Sequence, residues 1–509
     1  MARAAQPNVL MRMPLFLLIW GIAAASMFVP ASHALVLNNH PASRSFFYAG
    51  LLGLIAVTLI ALAMGTRPAR NGPVAQLLSL LGTFAVLPVF LAIPFHDALG
   101  TTSFLNAYME MVSAITTTGA PVFEDPGRLI ASLHLWRAQV GWMGGLLMWI
   151  AASAVLAPLS LGGFEITARG EPGRGTVVAG MERADPRRRL ARVTLALAPI
   201  YAGLTVAVWV LLLIAGEGAL AALCHAMSVM ATSGISPLGG LDEAQAGLTG
   251  ELILFLFMFF ALSRLTFSGD TVVRGFGRLD RDPEFRLGIL IVLALPLLLF
   301  VRHWWGALDI ASAENVAQAL HALWGAMFTV MSFLTTTGFE SADWAEARQW
   351  SGLDTPGLIL LGLATFGGGV ATTAGGVKLL RVYTLYLNGL DELHRLVHPH
   401  SVSVGSAMHR RVQRNGAFIA WISFMLFALS LATVWALLSA MHVPFSDALV
   451  LTIAALSTTG PLIGSSADTP IHILNLSVGA KSVLCAAMVI GRLETLAIVA
   501  LLTPDLWRS

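Results

Sequence analysis

Ala326-Met327-Phe328-Thr329-Val330-Met331-Ser332-Phe333-Leu334-Thr335-Thr336-Thr337-Gly338 decides the architecture of this chain. Its apolar part is about ten residues long, whereas a helix needs roughly twenty to cross a bilayer. It ends abruptly in a hydroxyl-rich turn, and an acidic, aromatic run through Glu340, Asp343 and Trp344 follows. A short apolar helix stopping at a Thr-Gly turn between two full-length hydrophobic spans reads as a re-entrant segment. Irregular backbone at membrane depth survives only where it lines a water-filled path or is buried in protein.

The same design occurs four times. Aligned on the glycine, the segments run Asn106–Gly119, Ala221–Gly234, Gly325–Gly338 and Asp447–Gly460. An alanine stands twelve residues before each glycine (Ala107, Ala222, Ala326, Ala448), and Ser113, Ser228, Ser332 or Ala454 stands six before. The segments close on Thr117-Thr118-Gly119, Thr232-Ser233-Gly234, Thr336-Thr337-Gly338 and Thr458-Thr459-Gly460. A single Thr-Thr-Gly is an ordinary turn; four in matching contexts make a repeat, and a repeat settles the architecture first.

The chemistry of such a turn suits a cation filter. Backbone carbonyls can replace the water around a potassium ion without the full charges that would trap it. Directing successive carbonyls to one axis requires a residue that tolerates φ > 0, and glycine does so at little cost. Threonine hydroxyls add oxygens or tie the loop down, and pore helices that end at the filter aim their negative dipole ends at the cavity. We therefore expect K+ to be bound at Thr117, Thr118, Thr232, Ser233, Thr336, Thr337, Thr458 and Thr459, with Gly119, Gly234, Gly338 and Gly460 shaping the ring.

Composition supports a polytopic membrane protein: 509 residues, 56% hydrophobic and 11% charged, with mean hydropathy +0.77. The net charge of +2 carries little information, and Cys224 and Cys485, far apart in apolar runs, read as buried thiols. Arg3 and Arg12 precede an apolar run near Pro14–Leu37, and a second span near Phe46–Met64 follows. Ser32-His33-Ala34 resembles a signal cleavage site, but the run is long for a signal peptide. Further spans are expected near Val74–Phe95, Leu135–Leu161, Leu195–Ala215, Glu251–Phe267, Leu287–Val301, Gly357–Leu387, Phe418–Met441 and Val478–Leu502, ten in all, with four re-entrant loops.

Arginines cluster in one set of loops (Arg67 and Arg70, Arg169 to Arg192, Arg264 to Arg286, Arg381 to Arg414). The other set holds only Arg44, Arg128, Arg137, Arg302, Arg348 and Lys481. The positive-inside rule makes the first set cytoplasmic, together with both termini, so the filters open outward. Glu124, Asp125, Asp242, Glu243, Glu340, Asp343 and Glu346 then lie in the outward loops, where acids concentrate cations. The basic stretch Arg183–Arg192 serves as a topology determinant or as a site for lipid headgroups or a partner, and Gly170–Gly180 ahead of it reads as a flexible linker.

The span at Gly357–Leu387 is too glycine-rich for one plain helix. At its centre stand Gly367, Gly368, Gly369, Thr372, Thr373, Gly375 and Gly376, followed by Lys378, which suggests an unwound segment facing the cavity. Close helix packing through small residues is the alternative. No Gly-Lys-Ser/Thr ends the run, so it is not a phosphate-binding loop. Arg492 lies within the last span, where an arginine costs roughly 2.5–3.5 kcal/mol. Glu494, about 200° around a helix from it, is poorly placed as its partner. Carbonyls of the glycine-rich loop suit the guanidinium better; a side chain snorkelling to the inner surface is the alternative.

Taken together, the four filter segments, the glycine-rich stretch, Leu390–Pro399 and Leu502–Trp507 resemble the Trk/Ktr/HKT superfamily of potassium transporters, in its Trk branch. The resemblance implies an all-α polytopic fold with four pseudo-symmetric helix–pore loop–helix repeats around one pore. On that plan residues 1–70 form an extra helix pair, 71–165 the first repeat, 166–280 the second, 281–400 the third with its gate, and 401–509 the fourth. It further implies potassium uptake across a bacterial inner membrane and a gate formed by the glycine-rich loop, with the fourth-repeat arginine, Arg492, beside it as an electrostatic barrier. A homodimer on a cytosolic nucleotide-binding ring is implied as well. Any NAD or ATP belongs to that partner, since this chain has no nucleotide fold; no catalytic residue and no nucleic acid are expected. The gate departs from the family's Ser-Thr-Gly-Gly-Gly by reading Thr372-Thr373-Ala374-Gly375-Gly376.

A sodium-permeable member of the same superfamily is the nearest alternative. Gly119 stands where the sodium-selective plant branch has serine, which favours potassium. A voltage-gated channel is disfavoured because no span carries arginine at every third position. A membrane-embedded enzyme would need an intramembrane His/Asp/Glu constellation, and His225 and His321 fall on separate segments.

Overall fold

A computed structural model describes residues 13–64, 72–157, 186–263, 282–306, 316–352, 355, 357–398, 407–467 and 470–502. The linker at Gly170–Gly180, the start of the basic stretch from Arg183, and the C-terminal run after Leu502 lie outside these residues. Among the described residues there are helices and turns and no strand.

Proline shapes the first spans. Helices α1 (Leu15–Ser26) and α2 (Phe28–Val36) form one span that passes through Met27. Pro30 has no N–H to offer the turn before it, and the Ser26 carbonyl instead accepts from Gln139 Nε2 at 2.8 Å. Helix α3 (His40–Met64) packs against both. The next span, α4 (Pro73–Ala85) and α5 (Leu87–Leu99), breaks at Val86, and the Ala85 carbonyl there accepts from the Tyr108 hydroxyl at 2.9 Å.

Four helices, the expected pore helices, end at the Thr-Thr/Ser-Gly turns: α6 (Phe104–Ile115), α9 (Ala219–Ala231), α12 (Val316–Leu334) and α17 (Phe445–Leu456). The alanines twelve residues before each glycine are all buried in them. Between them run α7 (Ala131–Ala151), α8 (Pro186–Ile214), α10 (Gly247–Met258), α11 (Pro283–Gly306), α13 (Trp344–Ser351), α14 (Gly357–Thr365), α15 (Leu379–Val397) and α16 (Ala407–Ala440). The chain finishes with α18 (Leu462–Ser465), α19 (Val478–Leu493) and α20 (Thr495–Leu502).

Packing closes the set into a ring. The helix after each filter turn packs on the next pore helix: α7 on α9, α10 on α12, α14 on α17, and α19 back on α6. Outside the ring, α3, α8, α11 and α16 expose rows of aliphatic side chains such as Leu52, Leu59, Leu195, Leu298 and Leu429. Such surface suits lipid rather than water.

Among the described residues eight helices are long and apolar enough to cross a membrane, where the sequence led to ten spans. Three expected spans are interrupted. Gly247–Ala261 is short, Gly357–Leu387 is split into α14 and α15, and Val478–Leu502 breaks at Glu494, whose φ is +63°. Conversely, the third pore helix is 19 residues rather than about ten. Its added first turns, with Gln318, Leu320 and His321, are exposed, and burial begins at Ala322.

Candidate functional site: the filter ring and the loop beneath it

Each pore helix ends in the same backbone figure. Thr117, Thr232, Thr336 and Thr458 all take left-handed φ, between +51° and +57°. β-Branched residues rarely do so. The turn is held by amides that fold back onto the helix: Thr118, Ser233, Thr337 and Thr459 donate to the carbonyls of Ser113, Ser228, Ser332 and Ala454 at 2.8–3.0 Å. The carbonyl and not the side chain makes this bond, so alanine serves there in the fourth repeat; in the first two the serine hydroxyl adds a bond, Ser113 Oγ accepting from Ala120 N at 2.7 Å and Ser228 Oγ pairing with Ser233 Oγ at 3.1 Å. In the first and third repeats Thr116 and Thr335 also bond the hydroxyls of Thr118 and Thr337, at 2.8 and 2.9 Å.

The glycines then meet in sequence around the axis. A Cβ on Gly119 would collide with the Ser233 carbonyl, one on Gly234 with the Thr337 carbonyl and Pro461, one on Gly338 with Pro461, and one on Gly460 with Gly119 and Ala120. Each filter turn therefore touches the next, and the fourth returns to the first. Above them opens a cavity of about 200 Å³, lined by Gly119, Gly234 and Gly338 and by the carboxylates Glu124, Asp242 and Glu340. Burial pushes the Glu340 carboxyl above its ordinary range, and the charge of Asp242 adds to this; burial and Glu243 do the same to Asp242.

Below the four threonines lies the glycine-rich loop between α14 and α15. Gly375 N donates to Thr336 Oγ1 at 2.7 Å, and a Cβ on Gly375 would meet the Ser457 carbonyl and Thr458 Oγ1. Thr373 Oγ1 donates to the Met230 carbonyl at 3.2 Å, one residue before the end of the second pore helix. Gly368 N and Gly369 N donate to Leu334 O and Ala261 O at 2.9 and 3.0 Å. Gly367 rests against the Thr336 methyl, Thr372 bonds the Gly369 carbonyl, and Gly376 has φ +66°. The methyl of Ala374, the departure from the usual glycine, packs where a Cβ on Gly368 would sit.

Charged side chains brace this loop. Arg492 is buried, and its Nη1 donates to the Thr373 carbonyl at 2.7 Å; its Nε and Nη2 have no partner among the described residues. Glu494 pairs with Arg381 at 2.8 Å rather than with Arg492. Lys378 is buried, and its Nζ donates to the Ala374 carbonyl at 2.5 Å. Glu284 on α11 accepts from Val370 N at 2.9 Å.

Several contributors escaped the sequence reading. Arg137, taken for a surface residue, is buried in an ion pair with Glu110 on the first pore helix. Lys481 is likewise buried, bonded to Asn106 Oδ1 and the Leu474 carbonyl at 2.8 and 2.9 Å. Glu251 takes three hydrogen bonds of 2.7 Å, from Trp324 Nε1, Ser341 Oγ and Ala342 N, and so holds the chain leaving the third filter turn. A carboxylate inside an otherwise apolar segment was the available signal for both acids. His321, Asp343 and Glu346 come within 4.8 Å of one another, but on an exposed face and not inside the bundle. Cys224 and Cys485 are buried free thiols.

Residues 285–506 match the TrkH family, described as cation transport proteins. A Trk system potassium uptake protein TrkH of Vibrio parahaemolyticus is 30% identical over 416 residues, which are 80% of this chain and 80% of that protein. The protein of that name from Salmonella typhimurium is 29% identical over 504 residues, 96% of both. The crystal structure of the potassium transporter TrkH from Vibrio parahaemolyticus superposes with a TM-score of 0.79 at 26% identity, covering 99% of this chain and 100% of that one. These relatives are named as transporters, so the enzyme reading falls away. The chain belongs to the TrkH family and is a multi-pass, Trk-type membrane transport subunit.

Proposed function

We propose that this chain takes up potassium through a pore whose filter is the ring of four Thr-Thr/Ser-Gly turns. The observation that carries the proposal is the four-fold recurrence of left-handed threonine at the pore-helix ends, with each glycine set against the next turn around a single axis. Oxygens of Thr117, Thr118, Thr232, Ser233, Thr336, Thr337, Thr458 and Thr459 replace the ion's water. The hydroxyls of Thr117 and Thr458 are buried and have no protein partner among the described residues, which leaves them free to accept a cation. The names of the relatives favour potassium over sodium.

The loop from Gly367 to Gly376 acts as the gate in this reading, and its bonds to three of the four repeats support that role. Arg492 and Lys378 pin it from below. The carboxylate-lined cavity faces the outside and the arginine-rich loops face the cytoplasm, where a nucleotide-binding ring controls the gate of a homodimer. In the same reading residues 1–70 form the extra helix pair and 71–165, 166–280, 281–400 and 401–509 the four repeats. The test is ion uptake into liposomes. Gly119→Ser should lower potassium selectivity over sodium by at least about tenfold, because a side chain would strain a left-handed position and strike the Ser233 carbonyl. Unchanged selectivity in folded Gly119→Ser protein would remove Gly119 from the filter.

A further inference from the structure

The fourth quarter of the ring is built differently from the other three. Gly119, Gly234 and Gly338 have φ of +67°, +62° and +86°, whereas Gly460 is not left-handed. The sequence supplies the cause, because Ala120, Ile235 and Phe339 follow the first three glycines and Pro461 follows the fourth. A proline ring crowds the backbone of the residue before it and restricts its conformation. Pro461 itself adopts helical angles, φ −57° and ψ −20°, and opens the one-turn helix α18.

Two consequences follow for the oxygens. Leu462 N and Ile463 N donate to the Thr459 and Gly460 carbonyls at 3.3 and 3.0 Å, drawing both toward α18. Meanwhile Gly460 N donates to the Thr118 carbonyl at 2.6 Å. Where the other quarters offer carbonyls, the fourth offers an N–H to its neighbour. The Pro461 ring fills the space opposite, its Cγ 2.5 Å from the position of a Cβ on Gly234 and 2.8 Å from one on Gly338.

We propose that the Gly460–Pro461 peptide is a specificity-determining element, which withdraws the fourth quarter from the ring and limits how well the filter separates potassium from sodium. The proposal rests on the filter reading above. Discrimination between the two ions grows with the number and field of the coordinating carbonyls. Here the Thr118, Thr459 and Gly460 carbonyls each already accept a hydrogen bond, so an ion at this level keeps more of its own water. Alanine at 461 frees Gly460 to turn as the other glycines do and opens the space beside Gly234 and Gly338.

The test is competitive potassium and sodium uptake by the full chain in liposomes, with folded protein verified by gel filtration and thermal melting. Pro461→Ala should raise the potassium-to-sodium ratio about three- to tenfold, the range one released hydrogen bond supports. Pro461→Gly decides the matter if the alanine variant does not fold. Gly119→Ser is the reference. A fall in selectivity with Gly119→Ser, but no rise in folded Pro461→Ala or Pro461→Gly, overturns this inference and leaves the filter standing. No change in any of the three variants overturns both.

Discussion

A threonine at positive φ costs on the order of 1–3 kcal/mol, so four of them at one position of a repeat have to be held there. The amides of the next residues do the holding, by bonding back to the pore-helix carbonyls. Glycine can be found from sequence because its advantage is intrinsic. The left-handed threonines cannot, because their conformation is imposed by the helix end they fold onto. Arg492 shows the opposite case: a lone charge in an apolar run announces itself, and the loop carbonyl is where the sequence suggested a partner would be found. Its guanidinium is buried with two of its nitrogens unpartnered among the described residues, so its positive charge is poorly compensated. If the proposed filter carries the ion, that charge, in a low dielectric, repels a cation passing beneath it. Arg492→Gln keeps a donor for the Thr373 carbonyl and removes the charge, and initial potassium uptake should rise about tenfold, the effect of one unit charge at ~10 Å and an effective dielectric near 20. Arg492→Lys retains the charge but loses the planar fork, so it should stay near wild type in uptake while melting at a lower temperature. A clear fall in uptake with Arg492→Gln would make the arginine a support of the pore rather than an obstacle.

The loop between α14 and α15 was legible in its conformation and not in its contacts. Its glycines marked it as unwound, and it is unwound; what they did not mark is what it touches. Its contacts lie at Met230, Ala261, Leu334, Thr336 and Thr458, and no local pattern links those positions to Gly367–Gly376. The break at Glu494 was invisible for a related reason. No glycine or proline stands there, and the φ of +63° accompanies the Arg381 ion pair, a tertiary contact. The extra turns of the third pore helix were missed because they lie ahead of Gly325, where the pattern shared by the four repeats begins. Spacing exposes what repeats and what is apolar, and leaves hidden what depends on a distant partner. Gly375 makes this testable, since a single methyl there would meet the Ser457 carbonyl and Thr458 Oγ1. Gly375→Ala should push the loop off the filter threonines and raise basal uptake several-fold, with the dependence on any cytosolic regulator reduced. Deleting Gly367–Thr373 should do the same more strongly. Folded variants with wild-type uptake and unaltered regulation would show that the loop does not gate.

At the scale of the whole molecule, the ring of helices gathers carboxylates from distant parts of the chain over one opening. Glu124 belongs to the first repeat, Asp242 to the second and Glu340 to the third, yet all line the same cavity. Only the closed ring brings them together, which is why the sequence could place them no more finely than in loops on one side. A cleft lined by one sign of charge raises the local concentration of the opposite ion. Burial holds Glu340 and Asp242 above their ordinary values, with the charge of Asp242 adding to this at Glu340 and that of Glu243 at Asp242, opposed at Glu340 by the Ser465 hydroxyl and by Arg348. Their charge is therefore lost, as the medium acidifies, earlier than that of an exposed acid. The sign follows directly: uptake at low potassium should fall as pH drops through the raised range, while uptake at saturating potassium changes little. Each lost charge should weaken apparent affinity by roughly threefold, what a unit charge at ~6 Å contributes in a water-like dielectric. Glu340→Gln should reproduce that loss at neutral pH and flatten the remaining pH dependence. High ionic strength should mask both effects by screening the mouth. An affinity that is insensitive to external pH in wild type, or a Glu340→Gln variant with the full wild-type profile, would show that ions reach the filter without help from these acids.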